Sequence, residues 1–405
     1  MPSSTRFFQS LGSPTTLTAV LLALGVAYAC DSEEDGGSND PTAAGTEALT
    51  SIAACVTTST SSLVDAVALL NDALDDLAAA PEDDAAVGAA QTAWQDVQDL
   101  WQVAEFYQFG PAGRSGEYDK GGALGGQDIR DKVYSWPLVN ACRVDQNLVR
   151  ESYLDGLSEA SVNSRGLDVI EYLIFPPSDE SSCGPIADII VEGTWDELEN
   201  LPERRALYAQ AAGVDLKNSI DELQTAWSAD GGNFEAEFTQ AGDLTVYETQ
   251  AEAFDAVVSA ALYIDTLIKD QKIGLPIGRS ELCASATCPE DFEHQFAKTS
   301  RNAIQNNLDG FSNLVTGCGE EEGGLVVLLK DIGAGALATS LQEQGSVVKD
   351  AVEALEDDNL IDVLADDPDS LNSLHDELRT LSTLLKVDVV DALGINLGSG
   401  GGDND

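Results

Sequence analysis

The chain has 405 residues, 43% of them hydrophobic, which is enough for the buried core of one large or two medium domains. Its 71 Asp and Glu stand against 20 Lys and Arg, a formal net charge of −51. That excess excludes the basic surface that a nucleic-acid backbone requires, so no nucleic-acid partner is expected, and it disfavours docking on anionic lipid. Cation binding is permitted, although most acids on such a surface serve only to keep it hydrated.

The first residues read as an export signal. Arg6 is the only charge ahead of TTLTAVLLALGVAYAC, an apolar run that ends in small residues at a cleavage position. The run is too short and wrongly flanked for a permanent span. AYAC, at 27–30, resembles a bacterial lipobox with Ala27 where leucine is usual. Cys30 is then the expected lipidated first residue of a mature chain that has lost the signal peptide 1–29, with plain cleavage after Ala29 as the alternative. Removing those residues takes away one Arg and no acid, so the mature charge becomes 19 − 71 = −52. Residues 30–46 are polar and read as a flexible tether. The membrane would be reached through the lipid alone. Asp31 resembles a signal that some bacteria use for retention at the inner membrane.

Without Cys30 six cysteines remain: Cys55, Cys142, Cys183, Cys283, Cys288 and Cys318. An even number in an oxidising compartment suggests disulfides. Cys283 and Cys288 close a short loop and are the expected pair; the other connectivities stay open. No Cys-x-x-Cys pair with a histidine companion offers a zinc site.

Along the chain the hydrophobic period is helical. Leu63, Val67, Leu70, Leu74 and Leu77 form one stripe, Leu216, Ile220, Leu223 and Trp227 a second, and Leu371, Leu374, Leu378, Leu381 and Leu385 a third. Alternating strand patterns are missing. Gly/Pro-rich breaks then predict an all-α protein of about eight to ten helices, arranged as two packed bundles over 47–240 and 241–395, with a disordered tail at 396–405. An internal echo supports the pairing: Pro-x-Gly-Arg-Ser recurs at 111–115 and 276–280, and Ser-Arg opens helical stretches at 164 and 300.

The chemistry-bearing residues are acids. Asp168 and Glu171 lie three apart in RGLDVIEYLIF, on one helix face, with Gly166 leaving room beside them. Glu105 follows Trp101 by four on the stripe that Trp94 begins, so it is a charge on a buried face and needs a partner. Together the three would give an oxygen-rich site for one hard cation, calcium, manganese or iron ahead of zinc. The bland alternative pairs Glu105 with Arg114 or Arg165 and leaves Asp168 as a first-turn acid favoured by the helix dipole. His294 in EDFEHQF, four after Glu290, fits a surface helix pair and reads as a structural or solvated residue, and His375 as exposed. No phosphate loop, dinucleotide fingerprint or nucleophile elbow is found.

These segments together resemble the imelysin-like family, also classed as peptidase family M75. The resemblance rests on the Trp-rich helix ending EFYQFGP, on VYSWPL at 133–138, on RGLDVIEYLIF, on the helix ending in Trp before the Gly-Gly-Asn loop at 208–238, and on FAKTSRNAIQNNLDGFSNLVTG at 296–317. It covers roughly residues 47–390. It implies an all-helical protein of two bundles on the periplasmic side of a bacterium, often lipid-anchored and linked to iron uptake, with peptidase activity attributed to some members. The family's Gly-x-His-x-x-Glu motif falls on Gly166, Asp168 and Glu171, so Asp168 stands where histidine is usual. That departure makes a site of oxygens alone and weakens a zinc-peptidase reading. The resemblance also marks Glu293 as a cleft residue. The expected function is therefore capture of a metal cation or small cationic ligand in an acidic cleft between bundles. Arg114 and Arg279 would shape its rims, Trp101 and Trp136 its walls, and a membrane transporter would be a partner. The alternatives are a metallopeptidase and a metal-free interaction scaffold at the membrane surface.

Overall fold

A computed structural model describes residues 42–116, 122–175, 178–244, 246–319 and 322–395. The signal peptide, Cys30 and the tail lie outside them. The described residues are helical and loop, with no strand among them, as the periodicity predicts.

The chain runs through α1 (Ala43–Ala79), α2 (Asp84–Ala104), α3 (Ile129–Val133), α4 (Ala141–Arg150), α5 (Leu167–Ile174), α6 (Asp188–Val191), α7 (Leu201–Trp227), α8 (Phe234–Thr239) and α9 (Gln250–Ala261). A π-helical segment, Ile264–Gly274, follows. Then come α10 (Ser300–Thr316), α11 (Gly324–Asp331), α12 (Gly335–Glu353), α13 (Leu360–Asp366), α14 (Pro368–Thr383), a second π-helical segment (Leu384–Val389) and α15 (Val390–Leu393). These outnumber the eight to ten helices expected, because α3, α6, α8, α13 and α15 are too short for a hydrophobic period to register.

The stripes read from the sequence are the core. Leu63, Val67, Leu70 and Leu74 of α1 are fully buried, as are Leu371, Leu374, Leu378, Leu381 and Leu385 at the C-terminal end. Each such side chain contributes roughly 1.5–3 kcal/mol relative to exposure. α1 packs on α2, α7 and α11, and α12 packs on α14 and α10. α1 is long and apolar enough to cross a membrane by composition, but its apolar face is spent on these neighbours. Its first turn is fixed by the Thr42 side chain, which accepts from the Gly45 N–H, and by Gln250 at the start of α9, whose Oε1 accepts from Thr42 N at 2.9 Å.

Three disulfides tie the described residues: the expected Cys283–Cys288, and Cys55–Cys318 and Cys142–Cys183, which the sequence left open. Cys55–Cys318 joins α1 to the loop that follows α10, 263 residues apart in sequence. The two Pro-x-Gly-Arg-Ser segments form matching turns: Gly113 N donates to Gly110 O, and Gly278 N to Leu275 O.

α2 packs on three helices, α1, α5 and α10. Gly310 lets α10 come close, since a Cβ there would lie 2.3 Å from the Val103 carbonyl oxygen. α5 is held at both ends: Trp94 Nε1 donates to Leu167 O at 2.8 Å, and Gln91 Nε2 to Ile174 O at 2.8 Å.

Candidate functional site

Where α2, α5, α10 and the Ile264–Gly274 segment meet, polar side chains replace the apolar core. Gln98 and Gln102 project from α2, Glu105 caps its C-terminal end, Asn307 comes from α10, Lys272 from the π-helical segment, and Glu293 from the loop before α10; all six are buried. Groups of this kind are tolerated only when hydrogen-bonded or ion-paired; here five satisfy one another, while Gln98 Nε2 meets His294 and its Oε1 has no hydrogen-bond partner among the described residues. The Lys272 ammonium reaches Gln102 Oε1 at 2.7 Å, Asn307 Oδ1 at 2.7 Å, Glu293 Oε2 at 2.8 Å and Glu105 Oε2 at 3.2 Å. It also lies 5.8 Å from the centre of the Trp136 ring, within cation–π range. The second oxygen of Glu105 takes Arg130 at 2.9 Å, and Arg130 also donates to the Trp136 carbonyl. Burial is the largest influence on Glu293 and works against its ionisation, but the Lys272 charge, the neighbouring His294 and the hydrogen bonds from Lys272 and Tyr134 together outweigh it and hold that carboxyl below its ordinary range. Tyr134 donates to Glu293 Oε1 at 2.7 Å, and burial together with the surrounding carboxylates pushes its phenol well up.

Asp168 and Glu171 stand beside this network on one turn of α5, both buried. Gly166 caps that helix at φ 87°, and a Cβ there would lie 2.6 Å from the Val133 carbonyl oxygen. Only glycine permits this approach, which brings the 132–136 segment against the start of α5. Ser135 then donates to Asp168 Oδ2 at 2.7 Å. Glu171 Oε1 accepts from the backbone N–H groups of Phe296 at 3.2 Å and Ala297 at 2.9 Å. Among the described residues neither carboxylate has an ion-pair partner; the donors are neutral. Burial raises Asp168 to about 7 against the pull of the Ser135 hydrogen bond. Burial raises Glu171 to about 8, and the charges of Glu293 and Asp168 add to the rise.

The structure thus gathers Glu105, Asp168, Glu171, Glu293 and Trp136 around one centre, with Gly166 at its edge, while Trp101 is buried in the core along α2 with no hydrogen bond to these residues. It does not bring in the two arginines. Arg114 is exposed beside Asp128, and Arg279 is exposed and bonded to Asn372, His375 and Asp376 of α14. Glu105 pairs with neither of the arginines expected for it. Arg165 is turned to Asp215 at 2.7 Å, and Arg130 and Lys272 take its place. Of the two histidines, His294 takes the structural reading, without the surface helix, and the exposed reading of His375 is corrected. His294 is buried, not solvated: the surface-helix pattern is broken by a turn with φ 52° at His294, and its ring meets Gln98 Nε2 at 2.8 Å and Thr299 Oγ1 at 3.1 Å. Burial depresses its pKa, which favours the neutral ring. His375 is also buried, beneath the Arg279 guanidinium, and burial and that charge lower it to about 4.

Lys272, Arg130, Tyr134, Ser135, Gln98, Gln102 and Asn307 were not found from the sequence. A signal existed for two of them. Gln98 and Asn307 interrupt otherwise apolar helix stripes, between Trp94 and Trp101 and between Ile304 and Phe311. Among the described residues no group of three or more His, Cys, Asp or Glu is arranged to hold a metal ion. The carboxylate oxygens of Asp168 and Glu171 nevertheless suit an oxygen-preferring cation better than zinc.

Residues 56–385 match the family model described as Imelysin, Peptidase_M75. Iron-regulated protein A of Synechococcus elongatus is 23% identical over 263 residues, covering 64% of this chain and 58% of that protein. The matched stretch therefore spans less than two thirds of that relative's length. Two solved structures share the fold. An imelysin-like protein from Psychrobacter arcticum superposes with a TM-score of 0.65 at 16% identity, covering 89% of this chain and 98% of that one. A putative iron-regulated protein A precursor from Parabacteroides distasonis gives 0.64 at 14% identity, covering 87% and 96%.

Proposed function

The chain belongs to the imelysin family, and from that premise we propose that it is an exported, iron-linked protein of the cell envelope that holds a divalent cation at the Asp168–Glu171 pair. The observation that carries this is a charge balance. The buried Glu105 and Glu293 have cationic partners in Lys272 and the partly buried Arg130, which also pairs with the exposed Asp131. Asp168 and Glu171 have only neutral donors around them, and once ionised they bring two negative charges into a buried site. One divalent cation would neutralise both, and two carboxylates with the neighbouring Ser135 hydroxyl are oxygen ligands of the kind hard cations take. When bound, such an ion would be cargo held by Asp168 and Glu171. Ser135 and the Phe296–Ala297 backbone orient the two carboxylates, and their burial excludes water.

Three disulfides support export to an oxidising compartment. The iron-regulated relatives support the iron link. Lipid attachment at Cys30, a periplasm-facing position and hand-over to a membrane transporter belong to the same proposal.

The test is elemental analysis of residues 31–405, purified without chelator, beside the double variant Asp168→Asn/Glu171→Gln. Iron, manganese or calcium near one per chain in the parent and lost in the variant supports capture. Zinc retained by the parent, with peptide hydrolysis lost in Glu171→Gln, would turn the reading to a metallopeptidase. No metal in either protein after incubation with each cation would overturn capture and favour an interaction scaffold.

A further inference from the structure

The Lys272 ammonium is seated as an ion is seated. Four side-chain oxygens from three separate parts of the chain surround it: Gln102 and Glu105 at the end of α2, Asn307 in α10 and Glu293 in the loop before α10. Its side chain is 1% exposed, so water takes almost no part in its coordination. Two of the oxygens belong to amides and two to carboxylates, and Asn307 Nδ2 is itself oriented by the Gln102 carbonyl at 2.8 Å. The oxygens are therefore positioned by the fold and not by the lysine alone.

We propose that Gln102, Glu105, Glu293 and Asn307 form a seat for a monovalent cation of the potassium or ammonium class, and that Lys272 is a tethered ion filling it. Charge fixes the valence. Glu105 and Glu293 carry two negative charges, Arg130 meets the far oxygen of Glu105 while also pairing with the exposed Asp131 at 3.0 Å, and the seat itself holds one positive charge, that of Lys272. Distance fixes the class. Oxygens at 2.7–3.2 Å from the ammonium nitrogen are too far apart for calcium, which takes oxygens at about 2.3–2.6 Å, or magnesium, at about 2.0–2.1 Å. The lysine reaches the seat from the π-helical segment Ile264–Gly274, and such segments are uncommon and concentrate at functional positions. The consequence for the wild-type protein is a buried centre whose charge is complete without an imported monovalent ion. The seat does not depend on cation capture at Asp168 and Glu171.

The experiment is thermal unfolding of Lys272→Met in potassium chloride, ammonium chloride and choline chloride at equal ionic strength, beside wild type and Lys272→Met/Glu293→Gln. The expected result is a lowered Tm for Lys272→Met that potassium or ammonium raises by several degrees over choline. Wild type should show no such difference, and neither should the double variant, whose seat has lost the charge that calls for an ion. Equal response to all three salts would overturn the proposal, as would the same cation effect in the double variant. A Lys272→Met protein that folds in none of the salts would also overturn it, because a seat able to take the ion would restore the fold.

Discussion

Glu171 on α5 accepts a 2.9 Å hydrogen bond from the backbone N–H of Ala297, 126 residues later in the chain. One carboxylate thus fixes the turn that carries Glu293 and His294 into the centre, and it does so while buried and without a cationic partner.

That arrangement makes stability depend on pH in a definite direction. Burial raises Glu171 to about 8 in the folded chain, so the folded protein keeps a proton that the unfolded chain loses at the ordinary carboxylate value near 4.5. The stabilisation is fully present below about 4.5 and is lost as pH rises through about 8. Asp168, raised to about 7, acts in the same direction. Glu171→Gln keeps an acceptor oxygen and removes the charge. In metal-free buffer it should be more stable than wild type by about 5 kcal/mol at high pH, with the gap closing toward mild acid. Urea unfolding at both ends of that range checks this; a gap independent of pH would contradict it.

Glu105 carries two cations. Glu105→Ala leaves Arg130 and Lys272 buried against one fewer carboxylate and should cost about 3–5 kcal/mol, the range for breaking a buried ion pair from one side. Glu222→Ala, which removes an exposed pair with Lys132, should cost at most about 1 kcal/mol. Denaturant midpoints of the two variants, compared directly, test the contrast.

Gly166→Ala combines two penalties: φ of 87° and a Cβ placed 2.6 Å from the Val133 carbonyl oxygen. A loss of about 2–4 kcal/mol is expected. The Ser135–Asp168 hydrogen bond should go with it, because α5 must back away from the 132–136 segment. Unfolding together with a crystal structure of the variant would show both.

The disulfides should differ in weight according to the loops they close. Cys55–Cys318 spans 263 residues and Cys283–Cys288 only 5. Cys55→Ser/Cys318→Ser should lose about 3–5 kcal/mol, and Cys283→Ser/Cys288→Ser about 2 kcal/mol or less. Calorimetry of the two double variants gives the comparison.

Much of this protein is written locally. The stripes of α1, α7 and α14 follow from spacing alone, because a helix puts residues three and four apart on one face and water drives that face inward. The same logic identifies Asp168 and Glu171 as neighbours, Glu105 as a charge in need of a partner, and Cys283–Cys288 as a pair. What spacing does not carry is the identity of partners far away in sequence. Lys272 meets Glu105 from 167 residues away and Asn307 from 35, and nothing in the run LIKDQKIG distinguishes Lys272 from a solvated lysine. His294 and His375 look like surface residues because their neighbours in sequence are polar, yet each is covered by elements distant in the chain. Hydrophobic burial is read from period, and the sequence by itself determined an all-α, acidic, disulfide-bonded chain with carboxylates on a buried face. Pairing of buried charge depends on which helices pack. Only the tertiary structure, through the close approach at Gly310 and Gly166, decided that Glu105 would answer to Arg130 and Lys272 and that Asp168 and Glu171 would be left with neutral donors.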